Sequence, residues 1–279
     1  MSEAPIAALR EAAIAREPDR YFAATLAPRA VRADLIALAA FAAELANIPA
    51  QVREPLAGEI RLQWWRDALG EAGAETASGH PVAAAMRTTI ARHRLPAEVV
   101  DAVIDSYADA VHGERPVSEQ ALRRQMAAGE GGLFRLAARI CAGDAGPDLD
   151  GIAESAGIAY GLSRALVRLP SEGAGRLPIP RSLLSDEALA LAGPDTESPQ
   201  LAAAFGALIA IARAAHDGAA SPLAKMSRGK RLAFLPLAMV RPNLHALETW
   251  LQRRGTVSGE PMPIARLLRI AWAHASGRL

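Results

Sequence analysis

Hydrophobic residues recur along this chain at helical spacing. Leu35, Leu38, Phe41 and Leu45 fall at i, i+3, i+6 and i+10, the stripe of a helix that starts near Arg29. Pro49 is expected to end or kink it. Before it, residues 4–16 read as a short helix, broken at Glu17, Pro18 and Asp19, where Pro18 can open the next one. A further helix is expected over 54–74, with Leu56, Ile60, Trp64 and Ala68 on its apolar stripe. Helices follow over 81–93, 96–112, 118–128, 131–142 and 149–169. Gly129-Glu130-Gly131-Gly132 reads as a break between the third and fourth of these, and residues 170–182 are too rich in Pro and Gly for helix. The remaining helices are placed over 185–191 and 198–217, from 233 onward with kinks at Pro236 and Pro242, and over 263–276. No repeat and no long linker divides the chain, so residues 1–279 are read as one all-α domain.

Composition agrees with that pattern. The chain is 51% hydrophobic but only 4% aromatic, so its core must be built from Ala, Leu, Ile and Val. A net charge of +1 gives no electrostatic footprint for nucleic acid. Cys141 is the single cysteine, which excludes an internal disulfide and suits a reducing compartment. The first residues lack the apolar core of a secretory signal. The longest apolar run, Leu201 to Ala212, is shorter than the roughly 20 residues that span a bilayer. The expected location is cytoplasmic, or peripheral to the inner membrane.

Candidate chemistry is sparse. Asp101, Asp105 and Asp109 share one face of the 96–112 helix, where carboxylates could hold Mg²⁺, although a solvated acidic face explains them more simply. In Gln63-Trp64-Trp65-Arg66, Trp64 fits the core stripe, while Trp65 could line a pocket and Trp65 and Arg66 are candidate partner contacts, although core or boundary packing explains both tryptophans more simply. Arg228, Lys230 and Arg231 form a basic patch suited to a diphosphate, an anionic lipid or an acidic partner. Arg253-Arg254 has the same character. No zinc motif, P-loop, nucleophile elbow or dinucleotide fingerprint is present.

Taken in order, several segments resemble the squalene/phytoene synthase family. Arg20-Tyr21-Phe22-Ala23-Ala24-Thr25-Leu26-Ala27-Pro28 is similar to its opening segment, and Arg32 with Ala37–Phe41 to the helix that follows. Leu62–Arg66 with His80-Pro81-Val82, Gly157–Leu166, Gly175–Pro180 and Leu235–Ala238 complete the series. The resemblance implies an isoprenoid-synthase fold, a single helical domain around a central cavity. Active relatives join two prenyl diphosphates head to head, with Mg²⁺ held by two DxxxD motifs. This chain departs from both. The first motif falls on Ala46-Asn47-Ile48-Pro49-Ala50, with Ala46 and Ala50 at the carboxylate positions. The second falls on Arg168 to Glu172, with Arg168 at the first acid position and Glu172 able to stand in for the second.

Phe41–Ala46 and Ile60–Arg66 are more similar to the branch that contains the mitochondrial complex I assembly factor with a phytoene-synthase domain. The reading that follows is a non-catalytic member, acting in respiratory complex I assembly or in isoprenoid binding, with complex I subunits or an isoprenoid diphosphate as partner. Tyr21, Arg164 and Arg168 are its candidate substrate-binding residues. No cofactor is expected. The alternative is a Mg²⁺-dependent prenyltransferase acting on farnesyl or geranylgeranyl diphosphate.

Overall fold

A computed structural model describes residues 3–52, 54–143, 149–168, 177–192, 198–252 and 262–279. Among the described residues every regular element is helical. The first six are α1 (Glu3–Arg16), α2 (Pro18–Thr25), α3 (Arg29–Gln51), α4 (Pro55–Leu69), α5 (Ala74–Ser78) and α6 (Pro81–His93). Next come α7 (Ala97–Asp105), α8 (Ala108–His112), α9 (Glu119–Ala142) and α10 (Asp150–Val167). The last are α11 (Asp186–Ala192), α12 (Pro199–Ala224), α13 (Arg228–Leu232), α14 (Val240–Gln252) and α15 (Pro263–Ser276), with a 3-10 turn over Leu235–Met239.

Alanine explains how α3 sits in the middle of the bundle. Ala37 and Ala39–Ala43 are buried around Leu38, Phe41 and Leu45, so neighbours approach the helix from several sides. Asp34 ties it to α6 by accepting from Arg92 and pairing with His93. Pro49 neither ends nor visibly breaks α3, which closes two residues later at Gln51.

Two helices, α3 and α12, are apolar and long enough to cross a membrane, which the run from Leu201 alone did not suggest. Much of each is spent on the core: Leu201, Phe205, Leu208 and Leu223 of α12 are buried.

The expected break at 129–132 is absent, and α9 runs unbroken through it. Its glycines serve close packing instead. A Cβ on Gly157 of α10 would lie 2.2 Å from the Gly131 nitrogen and 2.4 Å from its Cα. Gly132 and Gly129 make room for the side chains of Val103 and Ser106, each 2.5 Å from where a Cβ would stand. Helix propensity disfavours glycine by about 1 kcal/mol, and the tertiary contact outweighs it. The expected 96–112 helix, by contrast, divides at Ser106-Tyr107 into α7 and α8.

The stripe of α4 is also out of register with the expectation. Gly58, Leu62, Trp65 and Ala68 face the core, while Leu56 and Ile60 are exposed. Gly58 sets this rotation, because a Cβ there would collide with Val111 of α8 at 2.4 Å.

Candidate functional site

The bundle forms an open-mouthed cavity of about 580 Å³, within the usual range for small-molecule sites. Its wall is drawn from the end of α3 (Ala46, Pro49, Ala50), the α7–α8 junction (Ser106, Tyr107) and residues 110–115, α9 (Gln125, Met126, Gly129, Glu130) and α10 with its cap (Gly161, Arg164, Ala165, Arg168). Gly129 and Gly161 keep the α9 and α10 walls thin. A Cβ on Gly161 would lie 2.6 Å from the Met126 sulfur.

One end of this cavity is a buried charge network. Arg164 Nη1 donates to Glu17 at 2.6 Å and to Glu130 at 3.2 Å, and its Nη2 donates to the Arg16 carbonyl at 2.8 Å. Arg20 donates to Glu130 and lies 3.2 Å from Glu17. Asp19 accepts from Tyr160 at 3.1 Å and from Arg266 of α15 at 2.9 Å. Three carboxylates thus meet three guanidiniums. The Arg20 guanidinium also lies over the Phe134 ring, 4.7 Å from its centroid.

The two glutamates respond differently. Burial opposes charge on both. At Glu130 the guanidiniums of Arg20 and Arg164 outweigh it and hold the carboxyl below its ordinary range, with Arg168 adding a smaller pull. At Glu17 burial wins over Arg164 and Arg20, and the carboxyl is raised. Arg164 is raised well above its ordinary value: burial opposes its charge, but Glu17, Tyr160 and Glu130 overcome that.

The remaining wall is different. Ala46 and Ala50 present methyl groups, and Arg168 follows the last turn of α10. Arg16 closes the same side and donates to Asn47 at 3.1 Å. The carboxylates on the wall are Glu114 and Glu130, and Glu130 is already held by two guanidiniums. Among the described residues no group of three or more His, Cys, Asp or Glu side chains is placed to hold a metal ion. Mg²⁺ is usually held through one or two carboxylates together with substrate phosphates; with Glu130 engaged by two guanidiniums, the described wall offers it Glu114 alone, a poor fit. Glu172 lies outside the described residues.

Arg164 and Arg168 thus both line the cavity, although Arg164 is spent on the network as much as on the space. Tyr21 does not line it. It packs edge-on against Phe22 at 5.9 Å, and its neighbour Arg20, about 100° round the helix, turns inward instead. Asp101, Asp105 and Asp109 are exposed and outside the cavity. The break after α7 separates Asp109 from the other two, and Asp105 pairs with Arg66. Trp65 is no partner contact: it is buried against Phe41, 5.3 Å between centroids, and Trp64 takes the half-buried position. Arg66 is half-buried and bonded to Gln63 and Asp105. Arg228 is exposed, Lys230 and Arg231 are half-buried, and all three lie far along the chain from the cavity lining. Arg253 and Arg254 lie outside the described residues.

Sequence reasoning missed Glu17, Asp19, Glu130, Tyr160 and Arg266. Glu17 and Asp19 sit in the charged run Arg16-Glu17-Pro18-Asp19-Arg20, which reads as a helix break, and the other three lie far from it in sequence. Glu130 and Arg164 lie 34 residues apart on two different helices that pack along each other, so their spacing carries no local signal.

An all-helical bundle with a deep cavity and charge at one end is the architecture of an isoprenoid-synthase fold. Solved structures share it. A squalene synthase HpnC from Alicyclobacillus acidocaldarius superposes with a TM-score of 0.72 at 16% identity, over 89% of this chain and 95% of its own. A dehydrosqualene synthase solved in complex with a ligand gives a TM-score of 0.76 at 12% identity, over 98% of each chain. The squalene/phytoene synthase family matches residues 15–253, and the chain belongs to that family. No curated protein sequence matches it.

Proposed function

We propose that the chain is a non-catalytic member of its family that binds an isoprenoid diphosphate without turning it over. The observation that carries this reading is the placement of Ala46, Ala50 and Arg168 on one cavity wall. In active relatives those positions carry the acids that hold Mg²⁺. Ionising a prenyl diphosphate requires the leaving group's charge to be neutralised as the bond breaks, which metal ions do well. Guanidinium groups bind diphosphate oxygens bidentately, so the wall supports recognition in place of metal-assisted ionisation.

The test is calorimetric and enzymatic together. Farnesyl and geranylgeranyl diphosphate are titrated into the protein in EDTA and again with Mg²⁺, and released pyrophosphate is measured in parallel. Binding in EDTA with no pyrophosphate is expected. Turnover near 1 per second that requires Mg²⁺ overturns the reading and favours a head-to-head prenyltransferase, the activity named for the structural neighbours.

A second reading, assembly of respiratory complex I, rests on the segments Phe41–Ala46 and Ile60–Arg66. Phe41 and Trp65 of these segments pack against each other, so the two form one unit of the bundle. Deletion should then lower complex I activity, and complex I subunits should co-purify with the protein. Wild-type complex I levels after deletion would sink this reading and leave the ligand-binding one standing.

A further inference from the structure

Helix α15 is apolar on two opposite faces. Its inner face buries Arg266, Ile270 and Ala273, with Arg266 bonded to Asp19. Its outer face carries Ile264, Leu268 and Trp272 at i, i+4 and i+8, and these side chains are 63%, 64% and 47% exposed. A helix on the surface of a soluble protein normally turns polar side chains outward. This one does the reverse, and a contiguous exposed apolar patch marks a docking surface.

Charge identifies the occupant. From Pro261 to Leu279 there is no acidic residue, and none from Gly218 to Leu247. Arg269 flanks the apolar row, with its guanidinium 5.3 Å from the Trp272 ring centroid. The basic α13 packs beside the far end of α15. Arg231 lies so close to Gly277 that a Cβ there would be 3.0 Å from its Nη2, and Arg228 stands exposed in the same short helix. His274 registers the same proximity: burial lowers its pKa first, and Arg228 and Arg231 lower it further. The patch is therefore apolar at its centre and cationic at its rim. A second copy of the chain would bring two like-charged rims together, whereas an anionic lipid surface complements both parts.

We propose that α15 is an interfacial anchor, which lays Ile264, Leu268 and Trp272 into the surface of a bilayer containing anionic phospholipid while Arg228, Lys230 and Arg269 meet the headgroups. Helices of this kind sink about 5–10 Å into the headgroup boundary, and tryptophan favours that depth. The proposal is independent of what the cavity binds.

Flotation of the full chain with vesicles tests it. One set is phosphatidylcholine alone, the other phosphatidylcholine with phosphatidylglycerol. Binding to the anionic vesicles should exceed binding to the neutral ones by about tenfold or more and should fall as salt is raised. Leu268→Glu should abolish it without changing the melting temperature, because Leu268 faces outward. The double variant Arg228→Glu/Lys230→Glu, which leaves the apolar row intact, should also weaken it. Vesicles should shift tryptophan emission to the blue in the wild type and not in Trp272→Phe. Equal binding to both vesicle types, binding that survives Leu268→Glu, or no flotation at all would overturn the proposal. So would a dimer in solution that Leu268→Glu dissociates, which would make the face an interface between copies.

Discussion

The two sides of the cavity have been built by opposite rules. Where α2, α9 and α10 meet, charge is dense and paired: Glu17 and Glu130 face Arg20 and Arg164, and every group has an opposite neighbour. At the end of α3 and past the end of α10, the wall is methyl groups and a guanidinium, Ala46, Ala50 and Arg168. The first side holds helices together and cannot lose a member cheaply. The second contributes shape and one positive charge, and little to the fold. The groups that hold the helices around the cavity are therefore different from those that line its second side.

The largest effect should come from the charged side. Glu130→Gln leaves Arg20 and Arg164 sharing one counter-charge, and uncompensated buried charges typically cost about 3–5 kcal/mol. Urea unfolding should show that loss. The acid limb of the stability curve gives a second measure. Burial disfavours the Glu130 carboxylate, but Arg20 and Arg164 hold its pKa below the ordinary 4.5. Its contribution is thus present above that pH and lost as the pH falls through the folded value. Glu17, raised by burial, slopes the other way. The difference between wild type and Glu130→Gln across this window isolates Glu130, and a flat difference would break the contrast between the two walls.

Gly157→Ala should come next. Its Cβ would meet the backbone of Gly131 at 2.2 Å, which no side-chain motion relieves, so α9 and α10 must part. Overpacking of this kind costs about 1–3 kcal/mol, and it also separates Glu130 from Arg164. Gly151→Ala is the control. Nothing lies within 4 Å of the added Cβ, and removing a helical glycine should stabilise by about 0.5–1 kcal/mol. Equal loss from both would mean that the crossing is looser than the structure has it.

The same two walls differ in how legible they were in the sequence. The helices, the single domain and the cavity side of α3 followed from periodicity and from the order of family-like segments. Ala46, Ala50 and Arg168 were found because a motif says where to look. The network was not legible, because Glu17, Glu130 and Arg266 are far apart in sequence and become partners only through tertiary packing. Local rules failed where tertiary contacts override them. Gly129–Gly132 reads as a breaker by propensity yet packs as a helix crossing, and the frame of α4 turns on Gly58, whose role depends on Val111 of another helix. Trp64 and Trp65 exchanged places for that reason.

On the second wall, Arg168→Ala should weaken binding of farnesyl diphosphate in EDTA by about tenfold, the value of one charge-assisted hydrogen bond. Its melting temperature should stay near that of the wild type. Loss of stability with affinity unchanged would place Arg168 with the network and not with the ligand.

Restoring acids to α3 should have the smallest effect on the fold. Ala46 is half-buried and Ala50 exposed, and both border open cavity, so the double variant Ala46→Asp/Ala50→Asp can hydrate its new carboxylates. A stability change within about 1 kcal/mol is expected, comparable to other surface substitutions. The carboxylates also offer Mg²⁺ the oxygen ligands the wall lacks, but Arg168 keeps a positive charge on the same cavity lining. Calorimetry with Mg²⁺ should therefore show weak binding in the double variant and stronger binding once Arg168→Asp is added. Unfolding of the double variant would contradict the distinction drawn here, because it would mean that the methyl-lined wall supports the bundle as strictly as the charged one.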